Sequence, residues 1–316
     1  MKNGMKTFGR ILLFTLLGLL CMLLLLWGGL NITKQLIYRD YYTSKTDICK
    51  NPGLGDGFIC QGIAASEERD LLFVSGYMTD KSASRVYVTD LESRSHFVTL
   101  TQDGKDYTGH VGGVAAAGDS LYIASDGRIY TVSLSVLLET EAGASVEIGD
   151  GTEVNNAASY VSTDGEYLYV GEFHNGKKYV TEHPYETADG LYHAIVTRYR
   201  LDDLTSPDRV YAVRDKVQGV CFTPNGQILL STSYGPASSV YYVYRESEAS
   251  ASGLTLDGAP VYYLDRLERE FTGPAMSEDL EWYDGRVITL TESASNKYIF
   301  GKFFFADKIV GIDLGE

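Results

Sequence analysis

The sequence predicts an all-β fold, a β-propeller, preceded by one N-terminal transmembrane helix. Three observations predict it: a strand–turn–strand pattern that recurs, a tyrosine- and glycine-rich composition suited to twisted strands, and one long uncharged apolar run. The pattern is clearest in residues 218–235, where two short apolar runs flank Asn225 and Gly226. Asn and Gly accept the positive φ angles of a tight hairpin turn, so this segment predicts two antiparallel strands.

Further copies of this pattern occur along the chain. The innermost strands are anchored on Gly62, Gly113, Ser159, Gly219 and Glu278, so successive copies begin 46 to 60 residues apart. Periods of about 40 to 50 residues built from strands and turns are typical of propeller blades, and longer periods accommodate insertions. With roughly four strands per copy, the first prediction is five blades. A six-bladed ring, with one blade assembled from the connector or an insertion, is the second.

The N-terminal residues are organised for a membrane. Residues 1–10 are basic, 11–30 carry no charge, and 31–56 form a polar connector to the propeller at 57–316. About 20 apolar residues span the hydrocarbon core as a helix. The basic flank favours a cytoplasmic N-terminus, which leaves the propeller extracytoplasmic. The run exceeds a usual signal-peptide core and no small-residue cleavage site follows it, which favours an uncleaved signal anchor over a cleaved signal peptide.

The charge of the chain excludes one class of partner. The formal net charge is −15, and the three basic residues before position 31 leave 24 basic against 42 acidic residues in the remainder. Such a surface repels nucleic acid and anionic lipid headgroups. We therefore expect no nucleic-acid partner. The expected partners are the membrane, through residues 11–30, and an extracytoplasmic small molecule, glycan or protein.

Two insertions and one cysteine pair interrupt the repeats. Residues 177–193 contain three tyrosines and two histidines and are predicted to pack over one mouth of the ring. Residues 245–258, rich in Glu, Ser, Ala and Gly, are predicted to form a solvated loop. Cys49 and Cys60 lie outside the predicted membrane span, so a disulfide between them is one prediction and two unpaired thiols is the other.

The blade geometry gathers polar residues at one mouth. In propellers the loops that enter the innermost strands and the ends of the second strands emerge on one face around the axis, where ligands commonly bind. Candidate ligand-binding residues near the starts of the innermost strands are Gln61, His110, Asn156, Gln218 and Glu278. Those at the ends of the second strands are Tyr77, Glu172, His174, Tyr234 and Glu292.

Part of this set offers metal ligands. Carboxylate and amide oxygens suit a hard divalent cation such as calcium, and they are supplied by Asn156, Glu172, Glu278 and Glu292. Addition of His110 or His174 would admit a transition metal. In the alternative interpretation the carboxylates line a wet channel and accept hydrogen bonds from loop amides. His110 with Glu278 or Glu292 is the pair that could perform acid–base chemistry, while no nucleophile elbow, phosphate-binding loop or HExxH signature occurs.

The blade pattern, with Asp-Gly or Asn-Gly turns at 164–165, 225–226 and 284–285, resembles the superfamily of YncE-like, NHL-like and gluconolactonase-like propellers over residues 57–316. Gluconolactonase-like members bind a divalent ion on the axis through Glu, Asn and Asp. Glu278 and Asn156 are the nearest equivalents here, without a full matching ligand set. YncE-like and NHL-like members mostly serve as binding platforms. The resemblance therefore implies a binding or scaffold module, with a metal-dependent lactonase or esterase as the alternative.

Overall fold

The chain forms two compact units, residues 1–43 and 44–316, in a computed structural model that describes residues 2–298 and 306–315. The first unit is built on helix α1 (Lys2–Ile37), and the short helix α2 (Arg39–Ser44) follows it. Within α1, Thr7–Ile37 is long and apolar enough to cross a membrane, with a mean hydropathy of 2.6 in its most apolar window and none of that window buried. The helix therefore extends beyond the predicted span 11–30 at both ends.

The second unit is a five-bladed β-propeller. Strand β1 (Lys45–Lys50) precedes the first blade. Blade 1 consists of β2 (Phe58–Ser66), β3 (Leu71–Met78), β4 (Arg85–Asp90) and β5 (Ser95–Gln102), with β6 (Lys105–Asp106) paired to β5. The second repeat supplies β7 (Gly113–Ala117), β8 (Ser120–Ser125) and β9 (Arg128–Ser133), then helix α3 (Leu134–Glu139), β10 (Ser145–Glu147) and β11 (Thr152–Glu153), and blade 2 is the sheet β7-β8-β9-β11.

The remaining blades repeat this plan. Blade 3 contains β12 (Tyr160–Thr163), β13 (Tyr167–Gly171), the hairpin β14 (Tyr185–Thr187) and β15 (Gly190–Tyr192), then β16 (Ala194–Arg200) and β17 (Asp203–Val213). The fourth repeat supplies β18 (Val217–Phe222), β19 (Gln227–Thr232), β20 (Ser239–Arg245), β21 (Ser250–Leu256), β22 (Ala259–Tyr263) and β23 (Leu267–Gly273). Blade 5 contains β24 (Ser277–Tyr283), β25 (Arg286–Thr291) and β26 (Lys308–Ile312).

Strand β1 closes the ring. It pairs antiparallel with β26, with Thr46 opposite Gly311, so the strand order of blade 5 is β24-β25-β26-β1. Residues 45–50, which the sequence analysis placed in the connector, are thus the outermost strand of the last blade. The prediction of five blades is confirmed, because the strand from the connector completes the fifth blade rather than starting a sixth.

Two segments cross to the preceding blade. β10 pairs parallel with β5 of blade 1, and β22 pairs parallel with β17 of blade 3. β21 pairs with β22 at the outer edge of blade 3, so the predicted solvated loop at 245–258 is mostly strand. The prediction of a loop was wrong because these residues gain backbone partners from β22, while their side chains are mostly exposed, as predicted. The outer strand of blade 4 is β23, which pairs with β20.

The hub depends on glycines in the innermost strands. A Cβ atom on Gly113 would lie 2.5 Å from the amide nitrogen of Val161, and one on Gly219 would lie 2.6 Å from the Cα of Asp279. Real Cβ atoms do not approach backbone so closely, so neighbouring blades meet at distances that only glycine permits. The three glycine anchors predicted for the repeat, Gly62, Gly113 and Gly219, therefore lie at the contacts between neighbouring blades.

A buried carboxylate lies between the innermost strands. Asp279 in β24 is fully buried, and its Oδ2 accepts hydrogen bonds from the amides of Ile63 and Val114, each at 3.4 Å. These amides belong to β2 and β7, at the free edge of each blade. Asp279 thus joins blades 1, 2 and 5. It also accepts hydrogen bonds from two buried amides that no neighbouring strand pairs, and an unpaired buried amide would destabilise the fold.

Both cysteines near the ring closure are free and buried. Cys49 lies in β1, and Cys60 lies in β2, where its Sγ accepts a hydrogen bond from Nδ2 of Asn51 at 3.0 Å. Burial raises the pKa of the Cys49 thiol to about 11, and it also raises the pKa of Cys60. Of the two predictions for this pair, the structure has the unpaired thiols.

Candidate functional site

The ring has two mouths, and the residues predicted for the site lie at one of them. In every blade the innermost strand and the second strand are antiparallel, so the start of one meets the end of the other. In blade 1, Cys60 pairs with Gly76, and in blade 5, Ser277 pairs with Thr291. We call this edge, where the innermost strands begin, the first mouth. The edge where they end is the second mouth.

The first mouth contains a pair of carboxyl groups from the two paired strands β24 and β25 of blade 5. Glu278 is buried at the start of β24, and Glu292 follows β25 in a short 3-10 turn (Glu292–Ala294). Gln61 of blade 1 donates a hydrogen bond from Nε2 to Oε2 of Glu292 at 3.0 Å and another to the carbonyl of Cys60 at 2.8 Å. This contact joins residues 231 positions apart.

The two carboxyl groups titrate as a pair. Burial raises the pKa of Glu278 well above its usual range, and the neighbouring charges of Glu292 and Asp279 raise it further. Burial also raises the pKa of Glu292, against hydrogen bonds from Tyr298 and Gln61 and the charge of Lys297, which lower it. Since two buried carboxylates cannot both ionise cheaply, the pair retains a proton at a pH where isolated carboxyls have lost theirs.

An aromatic rim lies beside this pair. The rings of Tyr77 and His110 are stacked, with centroids 4.7 Å apart and planes 28° from parallel. Lys297 donates a hydrogen bond to the hydroxyl of Tyr77 at 2.6 Å and lies 5.0 Å above the centre of its ring. His110 is exposed to solvent, and desolvation by the surrounding loops lowers its pKa. Neutral His110 is therefore the form present near pH 7.

Glu172 has a different partner. Its Oε1 lies 2.7 Å from Nδ1 of His183 and accepts a hydrogen bond from the amide of Ile195 at 3.2 Å. The carboxyl is 2 % exposed, and its hydrogen bond is the main cause that raises the pKa of His183. Glu172 thus fastens the insertion 177–193 to blade 3.

Two histidines and an aspartate form a third group. The rings of His174 and His193 are stacked, with centroids 4.5 Å apart and planes 11° from parallel. Nδ1 of His193 lies 3.1 Å from both carboxylate oxygens of Asp215, and Nδ1 of His174 accepts a hydrogen bond from the amide of Thr181 at 3.1 Å. The potential ligand atoms of the three residues lie within 4.8 Å of one another. Because the two rings are nearly parallel, the in-plane lone pairs of their nitrogens do not point toward one shared metal position.

The remaining candidates have local roles or an exposed position. Asn156 donates to the carbonyl of Val170 at 2.9 Å and to Thr197, and its carbonyl oxygen accepts from the amide of Ala158. Its amide group thus joins strands within blade 3. Gln218 is half-buried in β18. Tyr234 is 49 % exposed after β19, and its ring centre lies 6.2 Å from that of Phe173.

The four predicted calcium ligands divide among three hydrogen-bonded groups. Glu278 and Glu292 lie together, Glu172 is bonded to His183, and Asn156 is bonded within blade 3. The sequence analysis did not name His183, His193 or Asp215 as site residues, because it assigned both histidines to the insertion 177–193. The position of His193 directly before a blade strand was the available signal.

Comparisons with known proteins find similar architecture at low sequence identity. No protein-family model and no curated protein matches the chain. A glucose-dehydrogenase-type oxidoreductase from Thermus thermophilus has a TM-score of 0.46 and 11 % identity, covering 85 % of this chain and 99 % of that one. The PQQ-bound aldose sugar dehydrogenase from Streptomyces coelicolor has a TM-score of 0.42 and 13 % identity, covering 78 % and 76 %. A structure of a nidogen/laminin complex has a TM-score of 0.39 and 11 % identity, covering 74 % of this chain and 73 % of that one. These similarities concern the fold alone.

The first mouth combines two kinds of recognition chemistry. Its buried carboxyls and the amide of Gln61 can exchange hydrogen bonds with hydroxyl groups. Its half-buried and exposed rings, Tyr77, His110 and Tyr234, offer flat faces for apolar surfaces. Sites that orient a small ligand typically combine aromatic walls with a small number of polar groups.

Proposed function

We propose that this protein is a membrane-anchored β-propeller that binds a hydroxyl-rich ligand, such as a glycan, outside the cytoplasm. The observation that carries the proposal is the carboxyl pair Glu278 and Glu292, in which Gln61 donates to Glu292, at the same mouth as the stacked rings of Tyr77 and His110. Hydroxyl groups of the ligand bind the carboxyl pair, and its apolar face packs on the rings. The anionic surface of the domain favours a neutral or cationic ligand over an anionic one.

The anchor is helix α1. Its Thr7–Ile37 segment is long enough to span the hydrocarbon core, and the charges Lys2, Lys6 and Arg10 precede the apolar run. Positive flanks stay on the cytoplasmic side, which puts the propeller on the other side. In sealed vesicles of known orientation, trypsin added outside should cleave at Lys177 and Lys178 only when the extracytoplasmic face is outward. Cleavage in the opposite orientation alone would contradict this topology.

Binding is tested with the full-length protein in detergent and a panel of soluble oligosaccharides. A ligand at 100 times its Kd stabilises the folded state by about 2.7 kcal/mol. For a domain of this size that raises Tm by about 5 to 10 °C. A binding saccharide should lose at least tenfold in affinity in Tyr77→Ala and in Glu292→Gln. Leu254→Ala, 50 % exposed in β21 on the outer edge of blade 3, is the control and should bind normally. A panel without any Tm shift would contradict the proposal.

A metal-dependent lactonase or esterase is the second candidate, and the coupled carboxyl pair favours it. Glu278 and Glu292 with the carbonyl oxygen of Gln61 would hold a calcium ion, whose preference is for 6 to 8 oxygen ligands. Asn156 and Glu172 could join them only by giving up their present hydrogen bonds. The bound cation would polarise an ester carbonyl, and the neighbouring neutral His110 would act as the base.

The two candidates are separated by metal analysis together with a lactone and ester hydrolysis screen. The hydrolase predicts bound metal, turnover, and a calcium-dependent rise in Tm that is lost in Glu278→Gln and Glu292→Gln. Saccharide binding without a calcium effect and without turnover would eliminate the hydrolase and keep the first proposal.

A further inference from the structure

The second mouth holds a cavity of about 650 Å³. Each innermost strand contributes to its wall, through Ala65, Ala117, Thr163, Phe222 and Glu281. The cavity is therefore on the propeller axis, at the opposite end from the carboxyl pair Glu278 and Glu292. Its volume falls within the range of about 300 to 1,000 Å³ that is usual for small-molecule sites.

A buried carboxyl group with an unused oxygen lines this cavity. Glu281 is 5 % exposed, and its Oε1 accepts a hydrogen bond from the amide of Trp282 at 3.0 Å. Its Oε2 is buried without a hydrogen-bond partner in the part of the chain that the structure describes. Buried polar atoms are nearly always paired, and an unpaired one costs about 1 to 3 kcal/mol. A cation in the cavity would remove this cost once the Glu281 side chain turns Oε2 toward it.

The charge of the wall determines the sign of that ligand. Carboxyl groups on the wall are Glu67, Glu68, Asp164, Glu166, Glu246 and Glu281. Glu246 is paired with Arg209 at 3.2 Å. Arg69, the one basic residue among the described lining residues, is held by the carbonyl of Gly118 at 3.3 Å and by Asp119 at 3.4 Å. The remaining carboxyls give the cavity a negative potential, which attracts cations.

Aromatic side chains on the wall favour an organic cation over a metal ion. Tyr169 and Phe222 line the cavity with stacked rings 3.7 Å apart, and Trp282 is half-buried beside Glu281. Cations are attracted to aromatic faces, most strongly to that of tryptophan. A cavity of this volume is also far larger than a single ion requires. Within residues 2–298 and 306–315, the one group of three clustered metal-ligating atoms is at His174, His193 and Asp215, outside this cavity.

We infer that the second mouth binds a small organic cation, an alkylammonium or alkylguanidinium, whose charged head donates to Glu281 and packs against Trp282. The site is separate from the first mouth and does not depend on the function proposed for it. Glu281 binds the cation in its ionised form. Burial, with Asp164 and Glu67 nearby, raises the pKa of Glu281, so a bound cation favours the ionised carboxyl and lowers that pKa again.

The sequence supplies a direct reporter of this site. The chain has two tryptophans, Trp27 in α1 and Trp282 at the cavity. In a Trp27→Phe background of the full-length protein in detergent, all tryptophan fluorescence comes from Trp282. The probes are butylguanidinium, n-butylammonium and the uncharged analogue N-butylurea, with calcium chloride as a fourth.

The inference predicts a saturable change in Trp282 fluorescence with the two organic cations and none with N-butylurea. Glu281→Gln should weaken cation binding at least tenfold. Glu139→Gln, exposed at the end of α3, should leave it unchanged.

Three outcomes would overturn the inference: no saturation with either organic cation, equal binding of N-butylurea, or saturation by calcium alone. If Glu281→Gln fails to fold, the comparison of the two organic cations with uncharged N-butylurea in the Trp27→Phe protein still decides the question. The buffer dependence of the binding enthalpy then shows whether a proton leaves.

Discussion

The tight hub gives the sharpest prediction, the substitution Gly219→Ala. A Cβ on Gly219 would lie 2.6 Å from Cα of Asp279, 2.7 Å from the amide nitrogen of Leu280 and 2.8 Å from the carbonyl carbon of Asp279. All three atoms are backbone, so no side-chain rotation relieves the contact and two blades must separate. Overpacking of this kind costs about 1 to 3 kcal/mol, here at the upper end.

The magnitude also includes a favourable term. Alanine loses less backbone entropy than glycine on folding, which returns about 0.4 to 1 kcal/mol. The net loss in free energy of unfolding is therefore about 2 kcal/mol, which lowers Tm by about 4 to 8 °C. Gly311→Ala is the matched control in β26, because its Cβ would meet the flexible side chain of Arg286 at 3.1 Å. That variant should unfold within about 1 kcal/mol of wild type.

The assay is thermal and urea unfolding of the full-length protein in detergent, followed by circular dichroism. If Gly219→Ala unfolds like wild type, or no more readily than Gly311→Ala, the innermost strands are not in the close contact described.

Three further predictions test other parts of the structure. Cys49 and Cys60 should resist N-ethylmaleimide in the native protein and react after denaturation, because both thiols are buried with raised pKa values; native labelling by mass spectrometry would contradict this. The pKa of His183 is raised by Glu172, so their bond is strongest below the unfolded pKa of about 6.5 and weakens as pH rises through the folded value. Trypsin should then cut the insertion 177–193 faster at pH 8.5 than at pH 6, relative to His183→Gln at the same pH. Glu281→Gln should raise the free energy of unfolding by about 1 kcal/mol or more at pH 8 and by less at pH 5. The reason is that the pKa of Glu281 is raised in the folded protein, so ionisation of this carboxyl destabilises the fold as pH rises. Urea denaturation measures both values, and equal effects at the two pH values would refute the prediction.

The blades could be predicted from sequence because their signals are local. The turn at 225–226 has Gly226 at φ 79°, and the turn at 284–285 has Gly285 at φ 74°, as Asn-Gly and Asp-Gly pairs favour. Ring topology then brought Gln61 and Glu292 to one mouth although 231 positions separate them. The repeat alone predicted which strand ends share a mouth, and this was sufficient to place the two residues at the same mouth.

The features that escaped prediction depend on distant partners. Residues 45–50 look like a connector, and only pairing with β26 makes them a strand. The same holds for β21, whose polar sequence indicates a loop until β22 pairs with it. Acidic residues normally indicate solvent, so nothing local marked Asp279 and Glu281 in β24 as buried near the axis. Their burial follows from closure of the ring.

Ring closure is the claim on which both mouths depend, and one cross-link tests it directly. Nζ of Lys308 in β26 lies 2.9 Å from Oδ2 of Asp47 in β1. Zero-length carbodiimide coupling of the full-length protein, followed by peptide mass spectrometry, should join these residues across 261 positions. The local bond between Asp47 and Lys45 is the internal control, and Lys308→Arg should abolish the long-range product. Efficient coupling to Lys45 without any product at Lys308 would show that the ring is not closed by β1.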